Sequence, residues 1–219
     1  MTFVPAFPVG TTYVPGDAVI LRVFEQRYLT LINDVVASDR QFVSALISSG
    51  SEVGGEDQRF SSGVLVEIDH VEPTDFGLMI HGHATHTIDI SEWNDEASYP
   101  RARIIAQEQE MCDPSLVSDL VADLGLLAKD IDTLIQFMEQ HNIAHPAPPG
   151  GAFFFADMDV HSADMAALWA SFWSLVRLLP SSPLARQELL RPAPLGKRLA
   201  RAREEVVHLR EIITFRFGQ

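Results

Sequence analysis

The sequence predicts an α+β protein, in which a small antiparallel sheet with one early helix is followed by a bundle of helices. Before about residue 111, apolar residues alternate or form short runs between Gly, Pro and Asp, a pattern typical of strands. After that point they recur every three or four positions, as they do along one face of a helix. We therefore expect a β subdomain over residues 1–110 and an α-helical bundle subdomain over residues 111–219.

The first part of the chain is expected to contain short strands and one helix. Strands are predicted at residues 19–24, 41–48, 63–71, 76–90 and 101–107. The helix is predicted over residues 25–37, because its apolar residues share one side: Tyr28, Leu31, Ile32, Val35 and Val36. Regularly spaced short strands with a single helix favour a closed or half-closed antiparallel sheet.

The second part is expected to be helical throughout. Asp113 followed by Pro114 combines an N-cap residue with a proline suited to the first helical position. Apolar residues at intervals of three and four then predict one long helix that reaches Met138, with Leu116 on its apolar face. Three further helices are predicted: one that starts near Ser162 with Asp164 in its first turn, one over residues 184–190, and one from Leu195 onward. Helices joined by short polar segments pack as a bundle.

The composition argues against several classes of partner and site. Asp and Glu outnumber Lys and Arg by 30 to 16, which gives a net charge of −14 and opposes a nucleic-acid partner. The only cysteine, Cys112, cannot form an internal disulfide or a zinc-binding cysteine pair. The apolar stretch at residues 165–176 is too short to span a bilayer, and the N-terminus does not resemble a signal peptide. We expect a cytoplasmic protein without a membrane partner.

No motif in the sequence predicts catalysis or a bound cofactor. The phosphate-binding segment G-x-x-x-x-G-K-[ST] and the nucleophile motif G-x-S-x-G are both absent. Lys129 and Lys197 both fall on amphipathic helices, so a catalytic Ser–Lys pair has no support. Adjacent carboxylates such as Glu56-Asp57 and Asp95-Glu96 are interpreted as parts of solvated loops.

Three histidines are the strongest, although weak, metal-binding candidates. His81 and His83 would share one face of a predicted strand, with His86 close by in sequence. Metal sites usually draw ligands from separate elements, and no such ligand is evident from the sequence. We therefore favour solvent-facing histidines and expect no metal.

A connector rich in Pro and Gly precedes Phe153, Phe154 and Phe155. Three consecutive phenylalanines cannot all face inward from a regular element. Two interpretations are open. Either most of them pack against the rest of the protein, or at least one is an exposed anchor for a protein partner.

Several blocks of sequence resemble the N-terminal, substrate-binding domain family of Lon proteases. These blocks are Phe7-Pro8-Val9-Gly10, Pro15-Gly16-Asp17, Val23-Phe24-Glu25-Gln26-Arg27-Tyr28, Gly50-Ser51-Glu52-Val53-Gly54-Gly55, Gly63 to Ile68, and Gln187-Glu188-Leu189-Leu190. The resemblance implies a PUA-like half-open β-barrel, followed by a helical lobe. It departs from the family pattern at Thr85-His86-Thr87, where the family has a charged Arg-Phe pair.

The matching residues are interpreted mainly as structural. Pro15-Gly16 is a turn signal, because proline fixes φ and glycine tolerates a positive φ. Glu25, Arg27 and Tyr28 are expected to act as helix cap, brace and core residue. Pro8 and Phe24 are the remaining members of this structural set.

The resemblance implies a non-catalytic module that recognises polypeptide segments or a protein partner, although the family name suggests a peptidase. The ATPase and Ser–Lys protease modules of Lon have no counterpart in these 219 residues. Basic or unfolded segments are the expected partners, given the acidic composition. The alternative is a small-ligand receptor or enzyme on the same fold. RNA binding is a third hypothesis, opposed by six basic residues against seventeen acidic ones in residues 1–110.

Overall fold

The computed structural model describes residues 3–50, 57–107, 114–146 and 164–217. The strands are β1 (Phe3–Val9), β2 (Ala18–Val23), β3 (Gln41–Ser49), β4 (Gln58–Thr74), β5 (Gly77–Asn94) and β6 (Arg101–Ala106). The helices are α1 (Gln26–Val36), α2 (Pro114–Gln140), α3 (Met165–Val176), α4 (Pro183–Leu190) and α5 (Leu195–Phe217). The predicted α+β class is confirmed.

The strands form one sheet in the order β2-β5-β4-β3-β1-β6. The long strand β5 pairs with β2 along its first half and with β6 along its second half, while β4 follows its other edge. The sheet is not a closed barrel. Within the described residues β2 pairs with β5 alone and therefore leaves one edge of the sheet open.

The sheet is mixed rather than purely antiparallel, because β1 runs parallel to β3. The connection between these strands contains β2 and α1, and is long enough for the crossover that parallel pairing requires. Periodicity did not predict β1, since Pro5 and Pro8 interrupt its pattern. Both prolines are tolerated because Phe3–Pro5 pairs with β6, whereas Ala6–Val9 pairs with β3.

Apolar side chains from the curled sheet and from α1 form the core around β1 and β3. One cluster between the strands contains Ala6, Val43, Ala45, Ile88, Ile90 and Ala102. The predicted apolar side of α1 is confirmed for Tyr28, Leu31, Ile32 and Val35, all of which are buried. Val36 is exposed, because the helix ends there and the chain turns away.

The chain divides into two compact units. The first contains Met1–Gln107 together with Arg186–Pro192, and the second contains Glu108–Ala185 with Ala193–Gln219. Periodicity correctly placed residues 184–190 in a short helix but could not indicate which residues they contact. The division into subdomains 1–110 and 111–219 stays a prediction.

Polar contacts attach the late segment Arg186–Pro192 to the rest of the first unit. Arg186 Nη1 donates to Asp17 Oδ2 at 2.9 Å, and Gln187 Nε2 donates to both the carbonyl and the hydroxyl of Ser62. Gln107 Nε2 donates to the Leu190 carbonyl at 2.9 Å. This helical segment is therefore part of the unit that contains the sheet.

We expect Gln187→Ala to lower the free energy of unfolding by about 2 kcal/mol, because it leaves two polar atoms of Ser62 buried without this donor. Gln187 and Ser62 are both buried. Urea unfolding measures the change. Leu184→Ala, at an exposed position of the same helix, should shift stability by less than about 0.5 kcal/mol. Equal effects of the two substitutions would contradict the proposed role of Gln187.

The second unit contains the predicted helical bundle. The inward face of α2 consists of Leu120, Leu124, Leu127, Ile131, Leu134 and Met138, whereas Leu116 is exposed near the start of the helix. Helix α3 begins at Met165, and Asp164 is its N-cap rather than a first-turn residue. The Asp164 carboxylate accepts a hydrogen bond from the Ala167 amide at 2.7 Å.

Candidate functional site

The Pro15-Gly16 turn directly precedes β2. Gly16 has a φ of 88°, which a residue with a side chain rarely adopts, and its amide donates to the Ala84 carbonyl at 2.8 Å. The Asp17 carboxylate accepts from the Val14 amide at 2.9 Å and closes the turn. Pro8 lies buried in β1, opposite Ala45. These contacts set the position at which β2 begins.

Glu25, Arg27 and Tyr28 lie together at the start of α1. Glu25 is the N-cap residue, but its side chain makes no capping bond and instead accepts from Arg27 Nε at 3.2 Å. The Arg27 guanidinium lies 4.4 Å from the centre of the Tyr28 ring. Burial raises the pKa of Tyr28 to about 12, so the phenol stays protonated at neutral pH. The structural roles expected for these residues remain a prediction.

A buried ion pair between Asp57 and Arg59 lies at the start of β4. The Arg59 guanidinium donates to both carboxylate oxygens of Asp57 and to Asp95, and it stacks over the Trp93 ring at 4.6 Å. The side chains of Asp57 and Arg59 are only 1% and 5% exposed. The interpretation of Asp57 as part of a solvated loop is therefore wrong. Sequence spacing could not reveal that Arg59 turns back to bind it.

The ion pair perturbs the ionisation of both partners. Burial alone would raise the pKa of Asp57, but the hydrogen bonds and positive charge of Arg59 outweigh it and hold this pKa below its usual range. Burial would likewise lower the pKa of Arg59, yet its bonds to the two aspartates raise it. Both groups stay charged at neutral pH, so the pair is suited to fixing local structure.

His81 and His83 have separate carboxylate partners. His83 Nδ1 lies 3.1 Å from the Asp69 carboxylate, whereas His81 Nε2 lies 4.0 Å from Glu72. His86 follows a break in the strand register. Within the described parts of the chain, no group of three or more His, Cys, Asp or Glu side chains is arranged to hold a metal ion.

The open edge of the sheet carries an exposed apolar surface. Along β2, Val19 and Val23 are buried, while Ile20 is 60% exposed and Phe24, directly after the strand, is 55% exposed. Phe76, in the turn between β4 and β5, is 76% exposed. We call the residues Ile20, Arg22, Phe24 and Phe76 the edge surface.

The two phenylalanines of the edge surface belong to the same end of the sheet. Gly77 follows Phe76, and its backbone approaches β2 so closely that an added Cβ would lie 3.1 Å from the Phe24 Cα. The sequence motif that contains Phe24 indicated a structural role for this residue. Its exposure depends on the strand pairing and therefore could not be anticipated.

Acidic side chains lie beside the edge surface on the same face of the sheet. The strand register aligns Ile20 with His81 and His70, and it aligns Arg22 with Met79 and Glu72. Further exposed carboxylates in this region are Glu67, Asp69 and Asp75. The edge surface therefore combines exposed apolar groups with a negative surrounding, which suits an apolar ligand that is not anionic.

Among the described residues, α5 carries a shallow depression that tests the small-ligand hypothesis. Its lining residues all come from this one helix: His208, Glu211, Ile212, Phe215 and Arg216. A small-molecule site usually encloses its ligand and places polar groups around it from several elements. The depression lacks that arrangement and does not favour the small-ligand hypothesis.

Some sequence-predicted residues lie outside the described parts of the chain. Among them are Phe153, Phe154 and Phe155, Cys112, Asp113, and residues 51–55 of the Gly-Ser-Glu-Val-Gly-Gly block. None of the described helices is both long enough and apolar enough to cross a membrane.

Comparison with known families identifies one match over nearly the whole chain. Residues 4–208 match the model of the ATP-dependent protease La (LON) substrate-binding domain. No ATPase or protease domain was found. A search of curated protein sequences gave no significant match.

Two solved structures share the fold. The first, a Lon N-terminal domain protein from Xanthomonas campestris, has a TM-score of 0.59 at 20% identity, and the alignment covers 91% of this chain and 96% of that one. The second, the N-terminal domain of Mycobacterium avium complex Lon protease, has a TM-score of 0.65 at 15% identity and covers 94% and 98%. At such identities the likeness establishes the fold alone. The ligand has to be inferred from the exposed residues of this chain.

Proposed function

Because the chain belongs to the ATP-dependent protease La (LON) substrate-binding domain family, we propose that it binds polypeptide segments through the edge surface without cleaving them. The observation that carries this proposal is the exposure of Ile20, Phe24 and Phe76 beside an open strand. Exposed apolar side chains that lie close together commonly mark a protein-binding surface. Unfolded segments expose the apolar side chains that such a surface can cover.

Charge favours basic segments over acidic ones. The carboxylates beside the edge surface, together with the net charge of −14, attract cationic chains over long distances. This attraction weakens as salt shortens the range of the interaction, which is about 8 Å at physiological ionic strength. We propose that charge speeds the encounter and that the apolar anchors hold the bound segment.

The absence of catalysis is also part of the proposal. The family model describes a substrate-binding domain. Among the described residues, Tyr28, Asp57 and Arg59 have shifted pKa values because they are buried or ion-paired. Asp57 and Arg59 neutralise each other, and the Tyr28 phenol is buried. Phe153, Phe154 and Phe155 remain candidate anchors for a partner, and a cytoplasmic location remains a prediction from the sequence.

We expect the double variant Phe24→Ser with Phe76→Ser to bind an unfolded, lysine-rich reporter protein about tenfold more weakly or worse, because both anchors are lost. Fluorescence anisotropy of the labelled reporter measures the affinity. Thermal stability should change little, since both rings are mainly exposed.

The matched control is Phe215→Ser on α5, where the ring is 89% exposed. This variant should bind the reporter as tightly as the parent protein does. The proposal is rejected if the control loses affinity and the double variant does not, or if both variants retain the parent affinity.

A further inference from the structure

We propose that β2 receives an extended polypeptide segment as an additional strand of the sheet. This inference rests on the proposed function and specifies how the segment is held. Strand β2 has six residues and stands last in the strand order, with β5 on one side and no strand pairing on the other among the described residues. Backbone groups of a strand point alternately to its two sides, so every second residue of β2 offers its N–H and C=O away from β5.

The open edge lacks most of the features by which proteins usually prevent strand addition. Such edges are commonly interrupted by proline, by a bulge or by charged side chains, above all lysine. Strand β2 contains no proline or lysine, and its single charged residue is Arg22, on the exposed face. It pairs with β5 without a break from Ala18 to Val23. The β3–β4, β4–β5 and β5–β6 pairings all contain register shifts. This edge is therefore regular enough to accept another strand.

The side chains of β2 specify what kind of segment fits. Ile20, Arg22 and Phe24 follow one another at every second residue on the exposed face, with Val19 and Val23 on the buried face. An added strand would place its own alternate side chains beside them, about 4.5–5.5 Å away between Cβ atoms. Apolar residues at alternate positions would then cover Ile20 and Phe24.

The net charge indicates whether the open edge of β2 pairs with a segment of another protein or with a second copy of this chain. Pairing two β2 edges would bring together two molecules of net charge −14, which repel each other. A segment with flanking basic residues is attracted instead. We therefore assign the edge to an extended segment with alternating apolar residues and basic flanks.

The test uses the full chain and a labelled peptide that alternates Val and Thr between flanking lysines. Two derivatives carry N-methyl groups on alternate residues, one on the odd positions and the other on the even positions. Strand addition uses the amides of only one set, so one derivative should bind about tenfold more weakly or worse while the other binds nearly as well as the parent. Equal weakening or no weakening of both derivatives would overturn strand addition.

The outcomes separate this inference from the proposed function. If the unfolded reporter binds but the Val/Thr peptide does not, strand addition is wrong and polypeptide binding stands. If neither binds, the proposed function itself fails. Sedimentation that shows a dimer which the peptide cannot dissociate would assign the edge to a second copy and reject the inference.

A pair of substitutions in the protein tests the same surface. Ile20→Lys places a charge on the edge strand, whereas Val207→Lys makes the same change on α5 at nearly the same exposure, 57% against 60%. Ile20→Lys should weaken peptide binding about tenfold, and Val207→Lys should leave it unchanged, with both proteins folded by circular dichroism. Equal affinities of the two folded variants would contradict the assignment.

Discussion

Replacing Arg59 by alanine should lower the free energy of unfolding by about 3–5 kcal/mol, because the substitution leaves the buried Asp57 carboxylate without its positive partner. It also removes the cation that lies over the Trp93 ring. Denaturant unfolding with fluorescence detection measures the change. Of the substitutions considered, this one should have the largest effect on stability.

The control for this prediction is Asp95→Ala. Asp95 also binds Arg59, at 2.8 Å, but its side chain is mostly exposed. Exposed ion pairs contribute about 0–1 kcal/mol, so its removal should cost little. Similar losses for Arg59→Ala and Asp95→Ala would show that the burial of Asp57 does not determine the energy.

The same ion pair should make stability depend on acid pH. The pKa of Asp57 is lowered in the folded protein, so its contribution is fully present above its unfolded value of about 3.9 and is lost as the pH falls through the folded pKa. Asp57→Asn should therefore flatten the stability profile below about pH 4. An unchanged slope in that range, measured by urea unfolding at a series of pH values, would argue against this contribution.

Gly63→Ala should cost about 3 kcal/mol, because the new Cβ would lie 2.3 Å from the Ser44 carbonyl oxygen. Gly63 lies in β4 between β3 and β5, and the obstructing atom belongs to the backbone of β3. Neither strand can move without disturbing the pairing around it. Thermal or urea unfolding should show the loss.

Gly125→Ala is the matched control and should act in the opposite direction. Gly125 lies within α2, and an added Cβ would meet no atom within 4 Å. Alanine favours helix over glycine by about 1 kcal/mol, so this variant should be slightly more stable than the parent. If both substitutions shift stability in the same direction, the close approach at Gly63 does not control the outcome.

Local patterns predicted those parts of the fold that depend on neighbouring residues. The spacing of Leu31, Ile32 and Val35 predicts α1 and its buried side, since helix periodicity is set within a few residues. Strand β1 did not emerge from periodicity, because Pro5 and Pro8 are tolerated only through the split pairing with β6 and β3. Such pairing is a property of the whole sheet.

The candidate site was harder to predict than the fold. The motif that contains Phe24 indicated a family, but the exposure of Phe24 follows from the open edge of β2 and from the approach of Gly77. The contacts of Arg186 and Gln187 join residues more than a hundred positions apart in the sequence. Single-sequence patterns carry no information on such distant contacts.

Amide hydrogen exchange, with and without the bound unfolded reporter, tests most directly whether the edge surface binds polypeptide. Binding should slow exchange along β2, at alternate residues between Ala18 and Phe24, because those amides donate to the added segment. Exchange in α5 should not change. Slower exchange in α5 with no change along β2 would contradict the proposed site.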